Sequence, residues 1–391
     1  MSIRICQLSN TFCPRLRSTM QYIMPLSLPQ NNKIHTQSLY YYYPYQERTI
    51  HTFIMFTNAE HVLEPGSLIL VTGTTGFIGS HISDKLLEAG YRVRGLTRDA
   101  DKNAWIAEVF QAKYGDKFTL ITADLTEPLD ALLKDVSGVI HCASDMSYDA
   151  DPNAVITPTI AIALQIFKAA VSTPSVERFV FTSSCAAAAM PGSAPYPTIT
   201  GNTWNEEAIR QAWAPAPYES SRGFAVYAAS KAQTEKALWD AYKETPGDLI
   251  FNTVLPAGNF GRALDPRQGH PSTSGLVQAL FMNDTATASN GPQYFYVDVE
   301  DTARLHVAAL LHPSIRDERI FAYAAPYTWR GMQDILRELY PERDFVEVPE
   351  ASLDESVIVQ REVAEGYLQM MGRDGWTGLK DCVRMNTEHL S

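Results

Sequence analysis

The chain has 391 residues, 45% of them hydrophobic and 19% charged, which suits a soluble globular enzyme with one large or two modest cores. Its formal net charge of −12 argues against a nucleic-acid partner, since phosphate binding needs a basic face. The five cysteines are scattered and lack CxxC spacing, and the nine histidines show no HExxH pattern. Neither a disulfide framework, a zinc site nor any other metal is expected, and a reducing compartment, the cytoplasm, fits best.

The first stretch stands apart. Residues 1–46 contain no Asp or Glu but carry Arg4, Arg15, Arg17, Lys33 and four prolines, with the run Tyr40–Tyr43. Neither helical nor strand periodicity is evident, so residues 1–55 read as a poorly structured extension, with Met55 as an alternative start. The same composition also fits a mitochondrial transit peptide, the lesser reading. Apolar runs further on are broken short of the ~20 residues that a membrane-spanning helix needs, so no membrane association is expected.

From Leu68 short apolar runs alternate with helical patterns. Leu68–Thr72 reads as a strand and Phe77–Ala89 as an amphipathic helix stopped at Gly90. Strands follow at 91–97, 118–122, 138–142 and 178–182, with a helix over 154–171 before the last. A helix over 226–243 and a strand over 249–255 complete the pattern. Strands alternating with helices imply right-handed βαβ units and a parallel sheet. The expected fold is α/β: a Rossmann-type doubly wound sheet over residues 62–256. A smaller substrate-binding region over 257–391 follows, where Gly and Pro become frequent.

Gly73-Thr-Thr-Gly76-Phe-Ile-Gly79 lies between the first strand and the first helix. Gly73 allows a tight turn, Gly76 lets main chain approach a pyrophosphate, and Gly79 lets the helix pack close to the strand. The N–H groups at the helix start, around Thr75, Phe77 and Ile78, suit phosphate oxygens. At the end of the second strand an NAD site usually places an acid for the ribose hydroxyls. Here Arg98 and Lys102 stand instead, and they suit the 2′-phosphate of NADP. Asp99 and Asp101 lie close by and weaken that reading, and solvated surface charge is its plain alternative. Asp124, beside Leu125, follows the third strand, where a carboxylate can accept from an adenine amino group. His141-Cys-Ala-Ser144 ends the fourth strand, and His141 reads as a satisfied core histidine.

Tyr227-Ala-Ala-Ser-Lys231 puts a phenol and an ammonium on one helix face. A nearby cation should lower the phenol pKa from its usual value near ~10. The tyrosine then exchanges a proton with a carbonyl oxygen. Thr182-Ser183-Ser184 ends the fifth strand and supplies a hydroxyl for that oxygen. YxxxK is common by chance. The order of glycine turn, basic strand end, serine pair and YxxxK is what gives it weight.

These residues resemble the extended short-chain dehydrogenase/reductases of the NAD-dependent epimerase/dehydratase superfamily. Within it the chain is most similar to fungal NADPH-dependent aldehyde and carbonyl reductases and to the dihydroflavonol reductase group. The likeness rests on 70–79, 173–184, 226–231 and 252–256, covers about residue 62 onward, and leaves out the first 55 residues. It implies that Ser184 orients a substrate carbonyl, that Tyr227 donates a proton, and that Lys231 holds the nicotinamide ribose and lowers the tyrosine pKa. It implies NADP as cofactor, with Arg98 and Lys102 on the 2′-phosphate and main chain at Pro256-Ala-Gly258 against the nicotinamide amide. Ser272–Gly275 resembles a segment near the cofactor and substrate. The partner is then a small carbonyl compound and the assembly a monomer or homodimer.

Cys185-Ala-Ala-Ala-Ala-Met-Pro191 departs from the plant members, so a flavonoid or CoA thioester is not indicated. It also places no carboxylate after Ser184, which disfavours elimination chemistry. The function expected is therefore NADPH-dependent reduction of an aldehyde or ketone, with room for a role in secondary metabolism. An epimerase or dehydratase that retains its nucleotide, and a non-catalytic dinucleotide sensor, are the alternatives. Residues 205–225 with Trp204, Trp213 and Phe224, together with 259–295, are expected to line the substrate pocket.

Overall fold

A computed structural model of the protein describes residues 61–390 except 193, 246, 270 and 290. The expectations for residues 1–55, the extension and the start at Met55, lie outside the described residues.

Leu68–Thr72 forms β1, and all of its residues are buried, as expected for a strand covered on both faces. The chain continues through α1 (Phe77–Glu88), β2 (Arg92–Thr97), α2 (Ala104–Tyr114), β3 (Phe118–Thr122), α3 (Asp130–Leu133) and β4 (Val136–His141). Next come α4 (Pro152–Val171), β5 (Arg178–Thr182), β6 (Thr198–Ile199), α5 (Glu206–Ala212), α6 (Gly223–Lys243) and β7 (Ile250–Pro256). Then follow β8 (Gly258–Phe260), α7 (Ser274–Phe281), α8 (Thr285–Ser289), β9 (Phe295–Asp298), α9 (Val299–Leu311) and β10 (Arg319–Ala322). The chain finishes with β11 (Ala325–Pro326), α10 (Trp329–Leu339), β12 (Val357–Ile358), α11 (Arg361–Met370) and α12 (Leu379–Thr387).

The main sheet has the order β3-β2-β1-β4-β5-β7-β10, and its neighbours all pair in parallel. This is the Rossmann-type sheet read from the sequence. Side-chain alternation sends Ile69, Val71 and Ile140 to one face, with Ile82, Leu86 and Leu310. Leu70 and Val139 go to the other face, with Ile166, Phe167 and Phe251. Each such fully buried aliphatic side chain contributes about 1.5–3 kcal/mol. The strand order reverses between β1 and β4, and the crevice at such a reversal, beyond the carboxyl ends of the strands, is where ligands sit.

Two boundaries differ from the sequence reading for local reasons. Helix α4 begins at Pro152 rather than 154, because Asp151 caps it by accepting from the Asn153 N–H and Pro152 fits the first helical position. Helix α6 begins at Gly223 rather than 226, continuing from a 3-10 turn over Ser220–Arg222, and its glycine start lets the loop after β4 press directly on it. Helix α4 also corrects the expectation about apolar runs. It is long and apolar enough, by length and composition, to cross a membrane. Its place is a βαβ crossover, where Ile166, Phe167 and Ala170 are buried against the sheet and its neighbour α6 runs alongside.

Beyond residue 256, β8, β9 and β11 form a small mixed sheet, packed with Phe260, Phe281, Tyr327 and Trp329 in a separate cluster. The same stretch returns β10 to the main sheet beside β7, so the sheet recruits its edge strand from after residue 257. A short pair, β6 with β12, lies apart from both sheets.

Candidate active site

A cleft of about 1840 Å³ opens at the carboxyl ends of the strands. Every residue that the sequence nominated for catalysis or cofactor binding lines it: Gly73, Thr75, Gly76, Phe77, Ile78, Gly79, Arg98, Lys102, Asp124, Leu125, Ser184, Tyr227, Lys231 and Pro256.

One end is built from main chain. Gly73 has a φ of +68°, and a Cβ there would lie 2.8 Å from the Ala143 nitrogen. A Cβ on Gly79 would lie 2.1 Å from the Gly73 carbonyl oxygen, so only glycine lets α1 approach β1 this closely. Gly76 begins α1 with no side-chain cap, and no acid stands in the first turn. The first-turn N–H groups are thus left to an anion from outside. Ser144 adds a buried hydroxyl without a partner among the described residues, also on the cleft wall. This glycine cradle and orphaned hydroxyl fit a dinucleotide pyrophosphate.

At the end of β2, Arg98 and Lys102 are exposed, and neither forms an ion pair among the described residues. The nearby Asp99 is occupied locally, its carboxylate accepting from the Lys102 main-chain N–H at 2.9 Å. Asp124 accepts from the N–H and hydroxyl of Thr126 at 2.9 and 2.8 Å, and these bonds hold its carboxyl below the usual range. One carboxylate oxygen remains for a ligand.

The other end carries the reactive side chains. Tyr227 and Lys231 lie one turn apart on α6. The Lys231 ammonium is buried and donates to the Thr182 carbonyl at 3.0 Å. Burial pulls its pKa down to about 8, against the opposing pull of Cys142 and Glu235. Ser184 leaves β5 in extended backbone, and its oxygen accepts from the Ala186 N–H at 3.2 Å, which leaves its own proton to donate.

Tyr227 departs from expectation. Its pKa is raised, first by burial and then by the phenol of Tyr148, while the Ser184 hydroxyl pulls the other way. The sequence reading took Lys231 as the neighbour that sets this value, but here that ammonium is engaged with Thr182 and desolvation of the phenol is the largest cause. The phenol therefore keeps its proton, the form that a proton donor requires.

A buried polar network backs this pair. Glu235, a further turn along α6, accepts from the Ser183 and Thr253 hydroxyls, each at 2.7 Å, and from Arg319 at 2.8 Å. That ties β5, β7 and β10 to the helix carrying Tyr227. His141 is a core histidine as read. Thr72 accepts from the Cys142 and Ala143 N–H groups, so its hydroxyl donates to His141 Nδ1 at 2.7 Å. Burial, and then Lys231, lower the His141 pKa to about 3.

The substrate end brought additions and one correction. Phe224 lines the cleft with Tyr148, Cys185, Leu276, Tyr294 and Tyr327, of which only 259–295 and Phe224 were expected. Trp204 and Trp213 do not. Trp204 stacks beneath Arg319, ring centre to guanidinium 3.8 Å, and Trp213 is tied to Gln233 on the surface. Tyr148 was missed. Its one sequence signal is an aromatic residue in the loop after a central strand, at the point of order reversal.

Residues 69–322 match the model of the NAD dependent epimerase/dehydratase family. The chain is 37% identical over 333 residues to the NAD-dependent epimerase/dehydratase terH of Aspergillus terreus, covering 83% of this chain and 97% of that protein. It is 35% identical over 334 residues to aldehyde reductase 2 of Sporidiobolus salmonicolor, covering 83% and 96%. In fold it is similar to yeast methylglyoxal/isovaleraldehyde reductase Gre2, solved with NADPH, with a TM-score of 0.68 and 23% identity over 83% of this chain and 98% of that one. A glycine cradle, a parallel seven-stranded sheet and a matching stretch of this length make the chain a member of the NAD dependent epimerase/dehydratase family.

Proposed function

We propose that this protein reduces an aldehyde or ketone to an alcohol with NADPH, through Ser184, Tyr227 and Lys231. The observation that carries the reading is that one cleft joins the glycine cradle to Tyr227, Lys231 and Ser184. Gly73–Gly79, Asp124, Leu125 and Pro256 hold the dinucleotide, and Arg98 and Lys102 take its 2′-phosphate. When bound, the cofactor supplies a hydride to the carbonyl carbon. Ser184 donates to the carbonyl oxygen and orients it. Tyr227 gives its phenolic proton to that oxygen as negative charge grows there. Lys231 holds the ribose hydroxyls and steadies the phenolate that remains. Hydride and proton together turn the carbonyl into the alcohol.

The similarity to an aldehyde reductase supports this reading over nucleotide-retaining chemistry. So does the Cys185-Ala-Ala sequence after Ser184, which places no carboxylate for elimination. The free thiols Cys142, Cys185 and Cys382 agree with a cytoplasmic setting. The test is NADPH absorbance with a panel of aryl ketones, keto esters and aldehydes. Alcohol formed mole for mole with NADPH consumed is the expected result. Tightly held nucleotide that is never consumed, with no carbonyl turned over, overturns the reading.

A further inference from the structure

Tyr148 stands in the left-handed region of backbone space, with a φ of +54°. An aromatic residue there is an outlier, and such strain persists only where its surroundings fix it. They do so here. Asp145 accepts from the Ser147 N–H, Ser147 from that of Asp149, and Asp149 from that of Asp151. The Tyr148 carbonyl presses on the start of α6, where a Cβ on Gly223 would lie 2.2 Å from it. The strained loop thus holds one ring over the cleft. That ring stacks on Phe224 with an interplanar angle of 10°, and its centre lies 5.2 Å from that of Tyr227.

Four phenols line this cleft. Tyr327 donates its proton to the Pro292 carbonyl at 2.8 Å. The Tyr294 hydroxyl accepts from the Cys185 thiol at 3.2 Å, which holds it in place. Tyr148 has neither tie and stands beside Tyr227. The Tyr148 hydroxyl has no hydrogen bond among the described residues. Its ring lies beside that of Tyr227, and Cys185, the neighbour of Ser184, lines the same cleft. Burial raises the Tyr148 pKa, so the phenol stays a donor at neutral pH.

Resting on the reductase reading above, we propose that Tyr148 is a specificity-determining residue whose hydroxyl donates a hydrogen bond to a second substrate oxygen, one or two carbons from the carbonyl being reduced. Ser184 and Tyr227 serve the reacting oxygen. The stacked pair of Tyr148 and Phe224 supplies an apolar wall, and the free phenol supplies the one polar feature on it. Tyr148 is 45% exposed in the open cleft, and a bound substrate would cover it. A site that bonds an oxygen then discriminates against the analogue lacking it, because the covered donor is left unpaired.

The test compares Tyr148→Phe, which keeps the ring stack, with the unaltered chain on two matched pairs. These are ethyl benzoylacetate against hexanophenone, and ethyl benzoylformate against valerophenone. Dividing the variant's kcat/KM by that of the unaltered chain cancels each substrate's own reactivity. A loss of about tenfold or more for an ester, with its matched ketone unmoved, is expected. Equal losses on ester and ketone in both pairs, or no loss, overturn the proposal and leave Tyr148 as packing. Failure of the unaltered chain to oxidise NADPH with any of the four or with the aldehydes of the panel above overturns the reductase reading itself, and this inference with it. Unchanged NADPH affinity in the variant separates a pocket effect from a misfolded chain.

Discussion

The two ends of the cleft are made in different ways. The end at Gly73–Gly79 is main chain packed on main chain, with approaches so close that a single added carbon would overlap a backbone atom. The end at Tyr148, Tyr227 and Tyr294 is side chain, drawn from the loop after β4, from α6 and from the stretch before β9. Main chain offers the same N–H and C=O groups in every relative, so the first end suits a ligand that never changes. Side chains can be exchanged singly without moving the sheet, so the second end suits a substrate that differs among relatives. Left-handed backbone occurs at both, freely at Gly73 because of its residue type and under strain at Tyr148 in spite of it.

The sharpest way to break this contrast is at Gly79. Its missing Cβ would lie 2.1 Å from a carbonyl oxygen that belongs to the turn itself, and a backbone atom cannot swing aside as a side chain tip would. Gly79→Ala should destabilise the fold by about 3 kcal/mol, the upper range for overpacking, and abolish measurable NADPH binding. Gly76→Ala is the control. A Cβ there meets only the Gly73 oxygen, at 3.3 Å, and Gly76 lines the cleft. It should barely change the thermal unfolding midpoint, yet weaken NADPH more than about tenfold in a fluorescence titration. If both variants lose stability alike, the turn is only a packing device and its tie to the ligand fails.

How much of this was legible follows the same division. Main-chain constraints are written as residue types at fixed spacing, which is why Gly73, Gly76 and Gly79 could be placed from sequence along with the strands around them. Tyr227 and Lys231 were legible for the same reason, since a turn of helix fixes their shared face. Tyr148 was not, because its place depends on a φ of +54° imposed by carboxylates in its own loop and by a glycine 75 positions away. Trp204 was assigned to the pocket on composition alone, while its ring lies under Arg319, in the network around Glu235. The sign of the Tyr227 shift was missed because spacing shows which groups are near but not how far water is excluded from them.

The electrostatics of the side-chain end can be sharpened by pH. Burial brings the Lys231 pKa down to about 8, so the cation is lost well below the ordinary lysine value of ~10.4. An ammonium with a lowered folded-state pKa is charged below that value and neutral above it. Reduction should therefore be level in the neutral range and fall about tenfold per pH unit above about 8, in profiles of kcat/KM for the carbonyl substrate. A rate that holds level for well over one unit past that point shows that Lys231 is not the charge that matters, or that it is far better solvated than its surroundings imply.

The smallest effect belongs to the outer edge of the main-chain end, where side chains take over again. Arg98 and Lys102 are solvent-exposed and form no ion pair among the described residues, so each would add only a screened interaction to a 2′-phosphate. Arg98→Ala should cut the preference for NADPH over NADH by about tenfold, worth about 1.4 kcal/mol, and leave kcat/KM for NADH unchanged. Lys102→Ala should do less, since an ammonium is a point charge without the planar fork. The preference should also shrink as salt rises, because the charges lie in solvent. A preference indifferent to both substitutions and to salt would mean that the basic end of β2 does not read the cofactor. NADPH would then be chosen, if at all, by the groups around Asp124 and the glycine turn. That would extend the main-chain logic of this end to its edge, leaving Arg98 and Lys102 as the solvated charges their exposure alone suggests.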